Sequence, residues 1–171
     1  EMATLHWACQ FLGVVITPLN WRAKADEIEY CAGDADAKAV VFEAVSAEAI
    51  AGCAHAQRVA RIAVGGAPGG TLAFDALLEA SPADPLLRAT AEDFSVMLYT
   101  SGTTGKPKGA VHTHGGLLSA AMTMSLELGL RDGERTLHFL PLFSSCLEHL
   151  LPLTLVRATH VLVMPAYRHA A

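Results

Sequence analysis

From Tyr99 to Gly109 the chain reads Tyr-Thr-Ser-Gly-Thr-Thr-Gly-Lys-Pro-Lys-Gly, placing four Ser or Thr hydroxyls, three glycines and two lysines in one short stretch. Glycine lets the backbone turn so that successive N–H groups point inward; hydroxyls donate further hydrogen bonds and lysines add charge. That combination is directed at oxygens bearing negative charge, above all a phosphate chain. A charge-assisted hydrogen bond contributes roughly 1.5–3 kcal/mol, so a few hold a triphosphate tail. The string is not a Walker A loop: Gly102 and Gly105 are too close together, and Pro107 stands where Ser or Thr should follow the lysine. The Gly-x-Gly-x-x-Gly pattern of protein kinases fails as well. A polar turn between two strands is the plainer reading of a lone Gly-Thr-Thr-Gly, and the full string argues against it.

Other residues capable of chemistry form no comparable group. His112 and His114, with distant His138, have no carboxylate at useful spacing, so they read as structural histidines and no metal site is expected. Glu148 and His149 are neighbours on a predicted helix and diverge, which excludes an acid–base pair. Cys9, Cys31, Cys53 and Cys146 make no Cys-x-x-Cys pair, so they signal neither zinc nor a disulfide framework and suit a reducing compartment.

Twelve Lys and Arg against 17 Asp and Glu leave a net charge of −5, which excludes a basic nucleic-acid binder. With 52% hydrophobic and only 17% charged residues, the chain carries more core material than a disordered segment. The most apolar stretch, 138–164, is broken by Pro141, Glu148, Pro152 and Arg157, so no transmembrane helix is predicted, and no signal peptide is visible. A cytoplasmic location is the expectation.

The elements that must position the glycine-rich stretch are short and alternate in type. Met2, Leu5, Cys9 and Leu12 recur at helical spacing until Gly13, and Val14-Val15-Ile16 is a β-branched run stopped by Pro18. A helix is predicted over 23–31 with Gly33 as its stop, a strand over 39–42, and a helix over 47–57 capped by Ser46. A strand over 59–64, a loop over 65–70, a short helix over 72–80 and a surface connection over 81–93 follow. Strands over 95–99 and 109–112 flank the candidate loop. Leu117, Ala121, Met124 and Leu128 mark one helix face, and strands are expected over 135–140 and 159–164 around an apolar helix over 147–156. Short strands alternating with helices predict an α/β fold with parallel pairing through crossover helices. The helix with no partner at the start and the uncovered strand at the end lead to the expectation that the chain is part of something larger.

The segment YTSGTTGKPKGAVHTH resembles the signature phosphate-binding loop of the adenylate-forming superfamily, which holds acyl-CoA synthetases, aryl-CoA ligases, luciferases and peptide-synthetase adenylation domains. The upstream CQFLGVVITPLNWRAKADEIEYCAGDADAKAVVF is similar to that family's helix, strand and helix, and LHFLPLFSSCLEHL resembles its segment at the carboxylate pocket. The resemblance implies layered, largely parallel sheets with crossover helices, forming part of the large N-terminal domain, with residues 1–171 a partial AMP-binding domain and 99–109 its phosphate loop. It implies that Thr100, Ser101, Gly102, Thr103, Thr104 and Lys108 contact ATP phosphates, with Gly105 and Lys106 in the same loop. Phe143 and Ser144 would line the acid pocket, or else pack as ordinary helix residues; Ser144 stands where many CoA ligases carry histidine.

The reaction so implied joins a fatty or aromatic carboxylic acid to AMP and passes the acyl group to coenzyme A, with ATP and Mg2+ as the other participants. The family's later motifs for adenine, ribose and the catalytic lysine do not occur in the sequence, so the catalytic groups are expected outside this chain, which alone should be inactive. Two further readings stay open. One is a noncatalytic nucleotide-binding remnant, and the other an adenylation domain serving a carrier protein.

Overall fold

The computed structural model describes residues 1–66, 68–79, 89–100, 105–138, 141–143, 150–157 and 160–163. Helix α1 (Met2–Leu12) ends at Gly13, whose φ of 65° is the left-handed conformation a glycine stop supplies. Its inward face is centred on buried His6, with Ala3 and Trp7 packed into the core, while Leu12 at the end of the expected apolar stripe is exposed. The β-branched run that follows forms a single parallel bridge, Ile16 to Val96, rather than a strand.

Helix α2 (Ala25–Asp34) carries Asp26 and Glu27 in its first turn, where they oppose the positive end of the helix dipole. Gly33 lies inside this helix and is not its stop; the left-handed residue is Asp36, at φ 47°. A short polar side chain makes that conformation tolerable without glycine.

Strands β1 (Ala39–Glu43), β2 (Ala60–Val64) and β3 (Leu72–Ala73) form a parallel sheet in that order, with Val41 opposite Ile62 and Ile62 opposite Leu72. Helix α3 (Ala47–Ala51) is shorter than expected, because Gly52 ends it and a separate 3-10 turn occupies Ala56–Arg58. Ser46 makes no capping bond; its hydroxyl donates to the Trp21 carbonyl at 2.8 Å instead. Leu72 and Ala73 pair as a strand, so the helix predicted there, α4, covers only Phe74–Leu78. Ala23, Ile28, Phe42, Ile50, Cys53, Ala56 and Ala63 make the core of this half.

Strands β4 (Phe94–Thr100) and β5 (Lys108–Thr113) are antiparallel. Parallel strands need a crossover of a dozen or so residues, and 101–107 is too short for one, so this pair forms a hairpin within an otherwise parallel scheme. Helix α5 (His114–Glu127) follows directly, with Leu117 and Ala121 buried, whereas Leu128 is exposed beyond its end. Strand β6 (Arg135–His138) pairs in parallel with β7 (His160–Val163), and helix α6 (Leu150–Leu155) lies between them in sequence. The expected surface connection over 81–93 lies largely outside the described residues. Among the described residues no helix is long and apolar enough to cross a membrane, and Cys9, Cys31 and Cys53 are free thiols.

Candidate phosphate-binding hairpin

The β4–β5 register places Tyr99 opposite Gly109 and Thr100 opposite Lys108, so the two strands form a hairpin. Thr100, Gly105, Lys106 and Lys108 are exposed at its tip, and Pro107 is half-buried. The Thr100 hydroxyl donates to the Lys108 carbonyl at 3.5 Å, a long contact that leaves the lone pairs of Thr100 accessible. Gly105 has φ 88° and open space around it, so conformation rather than crowding requires glycine. Among the described residues neither Lys106 nor Lys108 is in an ion pair. Ser101, Gly102, Thr103 and Thr104 lie outside the described residues.

Alternation along β4 divides its side chains between two layers. Val96 and Leu98 face Leu117 of α5, with Trp7 of α1 and Ile16 packed beside them. On the opposite side Tyr99 reaches α2, where its hydroxyl donates to Asp34 Oδ2 at 2.6 Å, with the Cys31 carbonyl 3.2 Å away. Burial, then the Asp34 hydrogen bond and charge, raise the Tyr99 phenol above its usual range. Burial, with lesser help from Glu27 and Asp34, pushes the Cys31 thiol up to about 11. A Cβ on Gly109 would lie 2.9 Å from Met97 Sδ and 3.4 Å from the Tyr99 ring, so a side chain there would displace the flexible end of Met97. One helical turn before Asp34, the Tyr30 ring lies beneath Lys106 Nζ, 5.6 Å from its centroid.

Both ends of the hairpin are fixed by the turn that precedes it. The Asp93 carboxylate accepts from the Thr90 N–H at 2.6 Å and the Thr90 hydroxyl at 3.0 Å, which hold it below the ordinary carboxylate range. The Asp93 carbonyl accepts the His114 N–H at 3.0 Å, and the Ala91 carbonyl accepts the Gly115 N–H at 2.8 Å. Thr113 caps α5 by accepting from the Gly116 N–H at 3.1 Å. A Cβ on Gly115 would meet the Ala91 oxygen at 2.9 Å, so only glycine permits this approach. Ser95, fully buried at an irregularity in β4, donates to Gln10 Oε1 of α1.

A model of the AMP-binding enzyme family matches residues 1–171. The chain belongs to that family. It is 30% identical over 167 residues to the long-chain-fatty-acid–CoA ligase FadD13 of Mycobacterium tuberculosis, covering 98% of this chain and 33% of that ligase. Its fold resembles the inhibitor-bound N-terminal domain of FACL13 from Mycobacterium tuberculosis, with a TM-score of 0.80, 30% identity, and coverage of 96% of this chain and 41% of that one. The anthranilate CoA ligase AuaEII, solved with anthranoyl-AMP, superposes with a TM-score of 0.85 at 26% identity, covering 96% of this chain and 33% of that one. This AMP-binding chain therefore has the α/β architecture of an adenylate-forming N-terminal domain. It spans about a third of the length of the curated relatives it matches.

The AMP-binding chain places Thr100 opposite Lys108, with Gly105 and Lys106 between them in sequence. Phe143 is half-buried at a turn whose Leu142 packs against the Val96 and Leu98 cluster, and Ser144, Glu148 and His149 lie outside the described residues. His112 is in β5 while His114 opens α5, so the chain turns between them and the two do not share one extended strand. Among the described residues no three His, Cys, Asp or Glu gather as metal ligands. Sequence reasoning missed Tyr30 and Asp34. Their spacing puts them on one face of a helix, but only the docking of α2 against Tyr99 shows that this face meets the loop.

Proposed function

We propose that this chain is the phosphate-loop portion of an acyl-CoA synthetase, a ligase that activates a fatty or aromatic carboxylic acid through an acyl adenylate and transfers it to coenzyme A. The observation that carries the reading is the hairpin tip, where Lys106 and Lys108, in no ion pair among the described residues, stand beside Thr100 on a firmly seated pair of strands. An FadD13 ligase and an anthranoyl-AMP complex among the relatives support a fatty or an aromatic acid respectively.

In this reading a carboxylate oxygen attacks the α-phosphorus of ATP, the new O–P bond forms, and the bond to pyrophosphate breaks. Thr100 and Lys108, joined by Ser101, Gly102, Thr103, Thr104, Gly105 and Lys106, hold the β- and γ-phosphates and offset charge as pyrophosphate leaves. Hydroxyls and lysines suit phosphate oxygens, so Mg2+ would arrive with the nucleotide and supply further charge neutralisation. The coenzyme A thiol then displaces AMP from the acyl carbonyl. Phe143 and Ser144 would border the acid, and the groups that fix adenosine and complete catalysis would lie outside residues 1–171. A cytoplasmic location fits the free thiols of Cys9, Cys31 and Cys53.

Carboxylate-dependent ATP–pyrophosphate exchange, run with aliphatic and aromatic acids, tests the proposal. The full-length gene product should exchange and form a CoA thioester, and the isolated 171-residue chain should do neither. Failure of the full-length product with every acid would leave a noncatalytic nucleotide binder. Exchange without thioester formation would direct the acyl group to a carrier protein. Exchange by the isolated chain would overturn the assignment of catalysis to residues elsewhere.

A further inference from the structure

Two contacts join the hairpin to successive turns of α2. Tyr99, at the end of β4, is hydrogen-bonded to Asp34, and Lys106, in the loop itself, sits over the ring of Tyr30. The first contact fixes the root of the loop against the helix, so the second forms between groups already held close. An ammonium within about 6 Å of an aromatic centroid is attracted by the negative face of the ring. With no ion pair competing for it, Lys106 has this ring as its partner among the described residues.

The helix beneath is a poor place for phosphate. Asp26, Glu27, Glu29 and Asp34 all lie on α2, and no basic residue occurs between Ala25 and Asp34. Asp34 is exposed and follows Tyr30 by one turn, well within the Debye length of any anion resting over that ring. A polyphosphate is therefore repelled from the ridge that attracts Lys106, and the lysine must leave Tyr30 to meet it.

Building on the nucleotide reading above, we propose that Tyr30 is a positioning residue that competes with the ATP phosphates for Lys106, parking the loop lysine on α2 until nucleotide draws it away. A contact of the strength usual at exposed sites lowers the population of the binding-competent arrangement, and so the apparent affinity, by about two- to fivefold.

MgATP binding to the full-length gene product, measured by calorimetry, tests this. Tyr30→Leu should lower the dissociation constant by about two- to fivefold. Tyr30→Phe, which keeps the ring face, should give a smaller gain. Leucine favours helix more than tyrosine does, so α2 is not weakened by the change, and Tyr30→Met serves if Leu impairs folding. In a Lys106→Met background the gain from Tyr30→Leu should vanish, a coupling that a general loosening of α2 would not produce. Unchanged or weaker binding by folded Tyr30→Leu, or a gain that persists without Lys106, overturns the inference. Absence of MgATP binding by the parent protein would overturn the nucleotide reading as well, which separates the two failures.

Discussion

The Tyr99 hydroxyl and the Asp34 carboxylate, 2.6 Å apart, join the strand that enters the loop to the end of α2. Tyr99→Phe should cost about 1 kcal/mol, since Asp34 is exposed and regains water, and lower the melting temperature by about 2–4 °C. The phenol is raised in the folded state, so its contribution is complete below its unfolded value of about 10 and is lost as pH rises beyond it. The Cys31 thiol, pushed up to about 11, acts in the same direction from about pH 9. Stability should therefore decline above about pH 9, and Tyr99→Phe should decline less steeply than its parent above about pH 10. Parallel pH profiles would show that the Tyr99 phenol is not raised in the folded chain.

Lys108 is exposed opposite Thr100 with no competing ion pair among the described residues. Lys108→Ala in the full-length protein should slow adenylation by about one to two decades, the rate equivalent of one lost charge-assisted contact, while leaving the melting temperature unaltered. Pyrophosphate exchange measures the first and calorimetry the second. An unchanged rate removes Lys108 from the site.

Two glycines one might treat alike should respond in opposite ways. Gly33, inside α2 with nothing within 4 Å of the place a methyl group would occupy, should accept alanine with a gain of about 0.5–1 kcal/mol, through the unfolded chain's lost freedom. Gly115→Ala also favours helix, but its Cβ would lie 2.9 Å from a backbone carbonyl that cannot swing aside. A loss of about 1–3 kcal/mol is expected there. Thermal unfolding of the two variants distinguishes them, and equal shifts would contradict the packing at Ala91.

Glu29 Oε2 accepts from the His55 N–H at 2.7 Å and from the Cys53 thiol at 3.2 Å, with Arg58 3.9 Å from the other oxygen. These bonds, the His55 N–H foremost, hold the carboxyl below its ordinary range. A depressed folded value means that the stabilisation is present above the unfolded pKa, about 4.3, and disappears as pH falls through the folded one. Glu29→Gln should lower the urea midpoint at pH 7, and the gap from the parent should narrow below about pH 4. A gap of constant size across that range would exclude the charge as its source.

Local signals explain which parts of the molecule its sequence discloses. The end of α1 is readable because Gly13 interrupts a helical pattern and adopts the left-handed conformation. The end of α2 is not, because Asp36 does the same work three residues after the more obvious Gly33. Ser46 has the chemistry of a cap but gives its hydroxyl to Trp21, a partner far off in sequence. At the loop, Thr100, Gly105, Lys106 and Lys108 are close together in the chain and so are found together, whereas Asp34 reaches Tyr99 across a separation of 65 residues. Periodicity reports which side of an element is buried, not which element buries it. That is why the loop is visible and its seat on α2 is not.

The hydrogen bonds that seat the hairpin differ in kind from those that make it. β4 and β5 pair across a few residues, an event that takes microseconds in isolation. Tyr99 to Asp34 and Ser95 to Gln10 each close a segment of 65 and 85 residues respectively, and the entropy of such closure is met only once the distant partner is in place. The hairpin thus pairs early and is oriented late. During synthesis α1 and α2 must wait for the strand that completes them, so the kinetics of folding are set by the assembly of this seat rather than by the pairing of β4 with β5.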